Sequence, residues 1–491
     1  MTTSSSDRAA DSVTTADVAV VGAGPAGLAA ATAAAGAGAT VAVLDLGDRI
    51  GGQYYRHSAA TDGGPFHHGW HAFRALRERF GRHVAAGRIL HLAHHAVWSI
   101  QPEPDRVTIC AVEGERERLP RTVRARAAIV ATGTHDRHVP FPGWTLPGVM
   151  AGGGAQALLK GSGVAPGRRA VVAGTGPFLL PVADGLLAAG VQVAEIVEAN
   201  TPWGIARYPG ALAGAVTKLP EALGYGSRLS RHRVPYRVRH AVVAAHGADR
   251  LEAVTVARLD AGWKIVPGSQ RRIGCDLLAV GYGFSPQIEL GLAAGCDTAL
   301  GVDGSLVIAT DGDGRTSCPR VYAAGETTGI GGADLAIVEG LLCGDVVAAD
   351  LGSRPAIERA ARWRLRLRSR ALRRFAEALH RTYPVRDGWI DWLDDDTLVC
   401  RCEEVTHASV RSALVDLGAG DVRTVRLLAR PGMGWCQGRI CGGIVAGMVA
   451  HHAGRTVAAD DLVAASRRAI GTPVPLSHLA ALGVDQAARG K

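Results

Sequence analysis

The sequence predicts an α/β protein with two Rossmann-like dinucleotide-binding domains, followed by a small helical domain that carries a four-cysteine set. Three observations predict it. Gly22-Ala-Gly24-Pro25-Ala26-Gly27 joins an apolar strand pattern to an Ala-rich helix pattern, and the strand after that helix ends on Asp45. The same strand–turn–helix–strand order returns between Arg169 and Glu198. Four of the nine cysteines then fall in one late segment, as Cys400-x-Cys402, a long gap, and Cys436-x4-Cys441.

At 491 residues the chain has room for about three domains, each with its own core. Its net charge of +9 is carried almost wholly by arginines scattered along the chain, with local clusters over Arg82 to Arg126 and Arg359 to Arg374. With aromatics at 5%, no basic face interleaved with stacking platforms can be drawn, so nucleic-acid binding is set aside. The opening Met1-Thr-Thr-Ser-Ser-Ser-Asp-Arg8 lacks a basic segment followed by an apolar core, and no signal peptide is expected. Val18 to Leu44 carries no charge, yet Pro25 and its glycines argue for a strand–turn–helix rather than a membrane span. Cys110, Cys275, Cys296, Cys318 and Cys343 are dispersed, which suits reduced thiols and a cytoplasmic protein.

Taken in order, residues 1–15 are Ser/Thr-rich and expected to be disordered. Asp17–Val21 reads as a buried strand, and a helix runs from the glycine turn to about Ala37. Gly22 permits the tight turn, Gly24 lets backbone approach a pyrophosphate, and Gly27 allows close helix–strand packing. Pro25 and Ala26 open the helix, whose N-terminus faces the phosphates. The strand Thr40–Leu44 delivers Asp45 to the adenosine ribose hydroxyls.

The second unit begins at Gly174-Thr-Gly176, with Leu179 where a third glycine would stand, and its next strand ends on Glu198. Glu198 would repel a 2′-phosphate, which favours NAD(H) or ATP over NADP. Three readings stay open: a nicotinamide site, a structural nucleotide site, or a vestigial one. The boundaries follow as 16–165 plus 274–351 for the first domain and 166–273 for the inserted second. A helical linker over 352–392 carries the stripe Ala360, Leu365, Leu372, Phe375 and Leu379. The cysteine domain and tail occupy 393–491, with a helix from about Ala408 to Leu417 ending at Gly418.

Four thiolates suit an iron–sulfur cluster or a closed zinc site. C-x-C is tighter than the usual opening of a zinc site, and the Gly-rich loop before Cys441 can aim N–H groups at cluster sulfides. A [2Fe–2S] cluster on Cys400, Cys402, Cys436 and Cys441 is therefore expected, with zinc or unligated thiols as alternatives.

Further landmarks carry a family resemblance. Gly51-Gly52-Gln53 follows Asp45; Ala127-Ala-Ile-Val-Ala-Thr132-Gly133 is a strand running into Thr-Gly; and Cys318-Pro-Arg-Val-Tyr-Ala-Ala-Gly325-Glu326 leads to Gly331-Gly332-Ala333 and a helix. These resemble the two-dinucleotide-domain flavoproteins of glutathione- and thioredoxin-reductase type. The resemblance implies FAD held by all these landmarks, with Glu326 standing where the superfamily has Asp. No C-x2-C or C-x4-C pair lies beside the flavin segments, so electrons must leave by a route other than thiolate attack.

Cys400-Arg-Cys402-Glu-Glu-Val-Thr and Arg430-Pro-Gly-Met-Gly-Trp-Cys436-Gln-Gly-Arg-Ile-Cys441 resemble the [2Fe–2S] domain related to bacterioferritin-associated ferredoxin. With Pro140-Phe-Pro-Gly-Trp-Thr-Leu-Pro-Gly-Val-Met150, the likeness over residues 16–480 is to alpha subunits of opine oxidase, hydrogen cyanide synthase and D-hydroxyproline dehydrogenase. Implied partners are a D-amino-acid-oxidase-like FAD beta subunit, with a small gamma subunit the further candidate, and a downstream electron acceptor. The likeness also implies a cytoplasmic location, or a peripheral one at the inner membrane face. No acid–base pair is assigned here. His67-His68 and His94-His95 are the nearest candidates, and surface or core roles suit them better. Two rival readings are a stand-alone NADH-dependent flavoprotein reductase and a zinc-stabilised nucleotide-binding regulator.

Overall fold

The computed structural model describes residues 13–58, 63, 64, 66–114, 119–213, 219–468, 470–477 and 479. The disorder expected of residues 1–12 falls outside them. The first sheet holds β1 (Thr14–Val21), β2 (Val41–Leu44), β3 (Ile89–Leu92), β4 (His95–Pro102), β5 (Val107–Glu113) and β6 (Leu119–Val130), in the order β3-β2-β1-β6-β5-β4. Strand Val321–Ala323 adds to β6 in parallel. β1 lies between β2 and β6, with Val18 opposite both Val41 and Ala127. Burial on both faces explains the continuous apolar runs. Thr14 and Thr15, expected to be disordered, belong to β1, because β6 is long enough to offer Val123 and Arg124 as partners.

Helix α1 (Pro25–Gly36) is buried on every side from Ala26 to Ala35. Its alanines let helix Ala333–Asp350 approach to backbone distance: a Cβ at Gly340 would lie 2.2 Å from the Ala26 carbonyl, and one at Gly344 2.1 Å from that of Ala30. The uncharged stretch of the sequence is thus spent inside a protein core. Among the described residues no helix is long and apolar enough to cross a membrane.

The second sheet is parallel, in the order Tyr236–Val238, Gln192–Glu198, Arg169–Gly174, Leu277–Gly281, Val149–Ala151. Its last two strands lie outside 166–273, so the second unit begins earlier and ends later than expected. Leu277-Leu-Ala-Val is apolar throughout and would fit a buried strand of either large sheet, so periodicity could not assign it. A ribbon of Thr134–Asp136 with Phe284–Pro286 connects the two units.

Helix Arg359–Thr382 packs Leu372 and Leu365 on Leu335, Val338 and Leu342, while Ala360 of the expected stripe is exposed. The end of the expected linker is core. Trp389 and Trp392 are buried, and Trp392 stacks on Trp263 at 6.0 Å and donates its indole N–H to the Trp263 carbonyl at 2.9 Å. The cysteine domain follows, with short strands Leu398–Cys400 and Val405–Thr406 and helices His407–Val415, Val422–Ala429, Gly442–His452 and Ala459–Ser466. The helix Val422–Ala429 was not anticipated. Asp421 caps it by accepting from the Thr424 N–H at 2.9 Å, a local side-chain signal beyond the Gly418 stop.

Candidate functional site

The first glycine turn is sterically determined. Gly22 has φ +106, and a Cβ there would sit 2.3 Å from the Ala131 carbonyl; one at Gly27 would sit 1.8 Å from the Gly22 carbonyl. Gly24 caps α1 with Pro25 opening the helix. Gly52, at φ +60, lies against it, since a Cβ at Gly52 would come within 2.8 Å of the Gly24 Cα. Gly325 meets Ala26 from the other side, at 2.6 Å from a would-be Cβ. Three distant turns thus build a side-chain-free floor beneath a helix N-terminus, a cradle suited to a pyrophosphate.

Asp45 ends β2 beside this floor. Its carboxylate accepts from the Ala23 N–H at 2.5 Å and the Gly47 N–H at 2.7 Å, which holds it in place while each oxygen keeps lone-pair capacity for a ribose hydroxyl. Gly51 is buried and Gln53 exposed. Thr132 donates to the Gln287 carbonyl at 2.6 Å, and Gly133, at φ +74, has open space where a side chain would be. Glu326, expected at the ribitol, is anchored to its own loop. Its carboxylate turns back to accept from the N–H groups of Gly332 (2.7 Å) and Gly331 (3.3 Å), and burial pushes its pKa up. The extra methylene makes that reach possible, so Glu326 braces the loop that positions Gly332 and Ala333.

The second glycine turn is closed. Glu198 is fully buried, accepting from the Thr175 hydroxyl (2.7 Å) and the N–H groups of Gly176 (2.8 Å) and Asn200 (2.8 Å). Burial pushes its carboxyl up to about 7. Gly174 and Gly176 are buried, and the Cβ of Tyr383 lies 4.0 Å from where a Gly176 side chain would begin. Asn200 donates to the Pro384 carbonyl at 2.8 Å. The chain's own Tyr383-Pro384 covers the loop.

The four late cysteines come together as two pairs, Cys400 with Cys441 and Cys402 with Cys436. Cys400 is drawn down to about 5, first by the hydrogen bond from the Cys441 thiol and then by N–H groups including Gly432 at 3.5 Å. Among the described residues no group of three or more His, Cys, Asp or Glu side chains is gathered as for a bound metal ion. Two thiol pairs match a two-iron cluster, in which each iron takes two thiolates. Cys400 and Cys441 are buried and Cys402 is exposed, so one side of the site faces solvent.

Between Cys436 and Cys441, Arg439 ties this loop to the flavoprotein core. Its guanidinium pairs with Glu289 at 2.9 Å and donates to the Gly471 carbonyl, and its own carbonyl accepts from His135 Nε2 at 2.8 Å. His135 stands two residues beyond Gly133. Neither Glu289 nor His135 was singled out from the sequence, because each acts across more than a hundred residues. Among the described residues, the side chains of three of the four paired histidines have partners within the fold. His67 bonds the Arg56 carbonyl at 2.8 Å, His68 lies 3.8 Å from Asp184, and His95 bonds the Ala93 carbonyl at 2.7 Å. Of the dispersed cysteines, Cys296 and Cys318 turn out to be hydrogen-bonded neighbours.

Comparison with known proteins agrees with this geometry. The family model described as pyridine nucleotide-disulphide oxidoreductase matches residues 16–340, and the BFD-like [2Fe-2S] binding domain matches 398–451. The HcnB subunit of hydrogen cyanide synthase from Pseudomonas aeruginosa is 33% identical over 471 residues, covering 95% of this chain and 98% of that one. The A component of opine oxidase from Agrobacterium tumefaciens is 34% identical over 499 residues, covering 95% and 92%. Among solved structures, L-proline dehydrogenase from P.horikoshii shares the fold at TM-score 0.66 and 20% identity, over 95% of this chain and 79% of that one. Cradle, thiol pairs and relatives agree on an FAD-dependent oxidoreductase subunit with a [2Fe–2S] module, and the chain belongs to the pyridine nucleotide-disulphide oxidoreductase family, alongside HcnB and the A component of opine oxidase.

Proposed function

We propose that this chain is the electron-transferring alpha subunit of an amine or amino-acid dehydrogenase complex. A secondary amine or amino acid, of opine, D-hydroxyproline, glycine or sarcosine type, is oxidised on a partner flavoprotein resembling D-amino-acid oxidase. A small gamma subunit completes the complex in this reading. The carrying observation is the closed second glycine turn. With Glu198 fully buried and Tyr383-Pro384 over Gly176, the unit offers no free acid to the adenine ribose of NAD(H) or ATP. Reducing equivalents then come from a partner rather than from NADH, and the second unit serves as scaffold. The lack of an assigned acid–base pair in this chain supports the same reading.

FAD would be held by Gly22, Gly24, Gly27 and Asp45 at its adenine end and by Gly51, Gly52, Gln53, Thr132, Gly133, Gly325, Gly332 and Ala333 toward the ring. Bound there, it supplies the exchange between two-electron and one-electron chemistry. The glycine floor admits the phosphates, and Asp45 orients the ribose. Cys400, Cys402, Cys436 and Cys441 would hold the [2Fe–2S] cluster, with Gly432 N–H directed at Cys400. Glu289 holds the Arg439 guanidinium, and His135, on the strand that leaves Gly133, holds the Arg439 carbonyl, which together fix the cluster loop. The half-exposed Cys402–Cys436 side faces outward, toward an acceptor such as a quinone, at a cytoplasmic or inner-membrane-peripheral location.

The test is a visible and EPR spectrum of the anaerobically purified chain before and after NADH, then dithionite. We expect flavin and [2Fe–2S] signals that NADH leaves unchanged and dithionite reduces. Bleaching of both by NADH would establish a stand-alone reductase and sink the proposal. A cluster-free, zinc-replete protein would favour the regulator instead.

A further inference from the structure

A cavity of about 560 Å³ opens between helices Ala333–Asp350 and Arg359–Thr382 and the loop 310–314. That volume lies within the roughly 300–1,000 Å³ range of small-molecule sites. Four arginines line it, and two are already neutralised: Arg366 grips Asp313 at 2.7 Å, and Arg373 pairs with Glu339 at 2.5 Å. Asp311, also in the wall, is paired with Arg315 from outside the cavity, at 3.4 Å. Arg370 and Arg374 remain. They stand one helical turn apart on the cavity face, both exposed, and neither makes a hydrogen bond or ion pair among the described residues. Side by side their charges repel, and an anion between them removes that repulsion.

We propose that this cleft binds a phosphate-bearing small molecule of mononucleotide size. Two guanidiniums at i and i+4 can each present a planar donor fork to a phosphate, and the Ser369 hydroxyl in the same cavity wall is a further donor. The inner wall is less polar. Leu342, Ala323 and Gly314 line it, and Gly314 must stay glycine, since a Cβ there would lie 2.8 Å from the Ala323 carbonyl and 2.9 Å from the Cys343 sulfur. That wall suits the uncharged body of the ligand and the arginine rim its phosphate. Thr328, also in the wall, hydrogen-bonds the Gly325 carbonyl at 2.8 Å, so the ligand would lie behind the loop that shapes the flavin cradle, not in the cradle. The inference does not depend on the electron route proposed above.

Isothermal titration of the FAD- and cluster-replete chain with inorganic phosphate and with adenosine monophosphate tests it. The expected result is saturable binding of the nucleotide with Kd below about 1 mM and weaker binding of phosphate. Arg370→Gln with Arg374→Gln should weaken the nucleotide about tenfold or more, with flavin and cluster spectra unchanged. Arg364→Gln with Arg368→Gln, on the same helix but outside the cavity, should not. Absence of saturable binding, equal loss in both double variants, or full retention in the Arg370/Arg374 variant would each overturn the proposal. The first would leave a solvated arginine face, the second diffuse charge attraction, and the third binding elsewhere, the second glycine turn included.

Discussion

Single residues carry this site through what they lack as much as through what they hold. Gly52 adopts φ +60 with its α-carbon against Gly24, so Gly52→Ala adds left-handed strain of roughly 1–2 kcal/mol and a Cβ within 2.8 Å of backbone. The flavin cradle should fail before the fold does: FAD absorbance per protein is expected to drop severalfold while far-UV circular dichroism is retained. Normal FAD content in this variant would show that the Gly24–Gly52 floor is not the binding surface. Glu198 makes a different prediction. Its folded pKa is raised from 4.5 to about 7, so between those values the native state holds a proton that the unfolded chain has released. Stability should therefore fall as pH rises through that window and level off above it, by about 3 kcal/mol at most. Urea midpoints at pH ~5 and ~8 should differ less in Glu198→Gln than in the parent protein. An undiminished difference would place the pH dependence elsewhere. The importance of Gly22, Gly24, Gly27 and Asp45 was legible from their spacing, because one turn and its two strands specify them locally. The inward turn of Glu326 was not, since it depends on a methylene and two N–H groups of a folded loop.

At the scale of elements, the Ala/Gly seam between α1 and Ala333–Asp350 holds the glycine turn in register with the Gly325 loop. The cluster loop is held by the Glu289–Arg439 pair, whose side chains are only 13% and 20% exposed. Glu289→Gln removes the charge partner of a largely enclosed guanidinium, at a cost of roughly 3 kcal/mol. We expect faster cluster loss on anaerobic incubation and a broadened [2Fe–2S] EPR signal, with FAD content unchanged. An EPR line shape and cluster lifetime equal to the parent's would remove Arg439 as an anchor. The cysteine spacing announced a four-thiol module, but not that its thiols would pair two and two, since each pair joins cysteines more than thirty residues apart. The helix Val422–Ala429 escaped notice because its apolar stripe is short and its cap, Asp421, lies among glycines.

For the molecule as a whole, the cluster module is a continuation of the second nucleotide unit, not a bead on a linker. One core joins Ala241, Val243 and Trp263 to Trp389, Trp392, Cys400 and Cys441. Trp392→Ala should cost about 3–5 kcal/mol, and both units should respond. Thermal unfolding followed by cluster absorbance and by tryptophan fluorescence should shift down together. A fall confined to the cluster signal would show two independent bodies. Short-range chemistry alone dictates the glycine turns, their terminal acids, the strand and helix periods, and the four-thiol set with the family resemblance it carries. Which surfaces meet depends on packing between distant segments. Tyr383-Pro384 settles over a glycine turn some two hundred residues earlier, Leu277–Gly281 joins the second sheet, and Arg370 and Arg374 are left facing a cavity without partners among the described residues. Local spacing sets backbone geometry, whereas occlusion, pairing and spare charge depend on contacts between segments that no local pattern encodes.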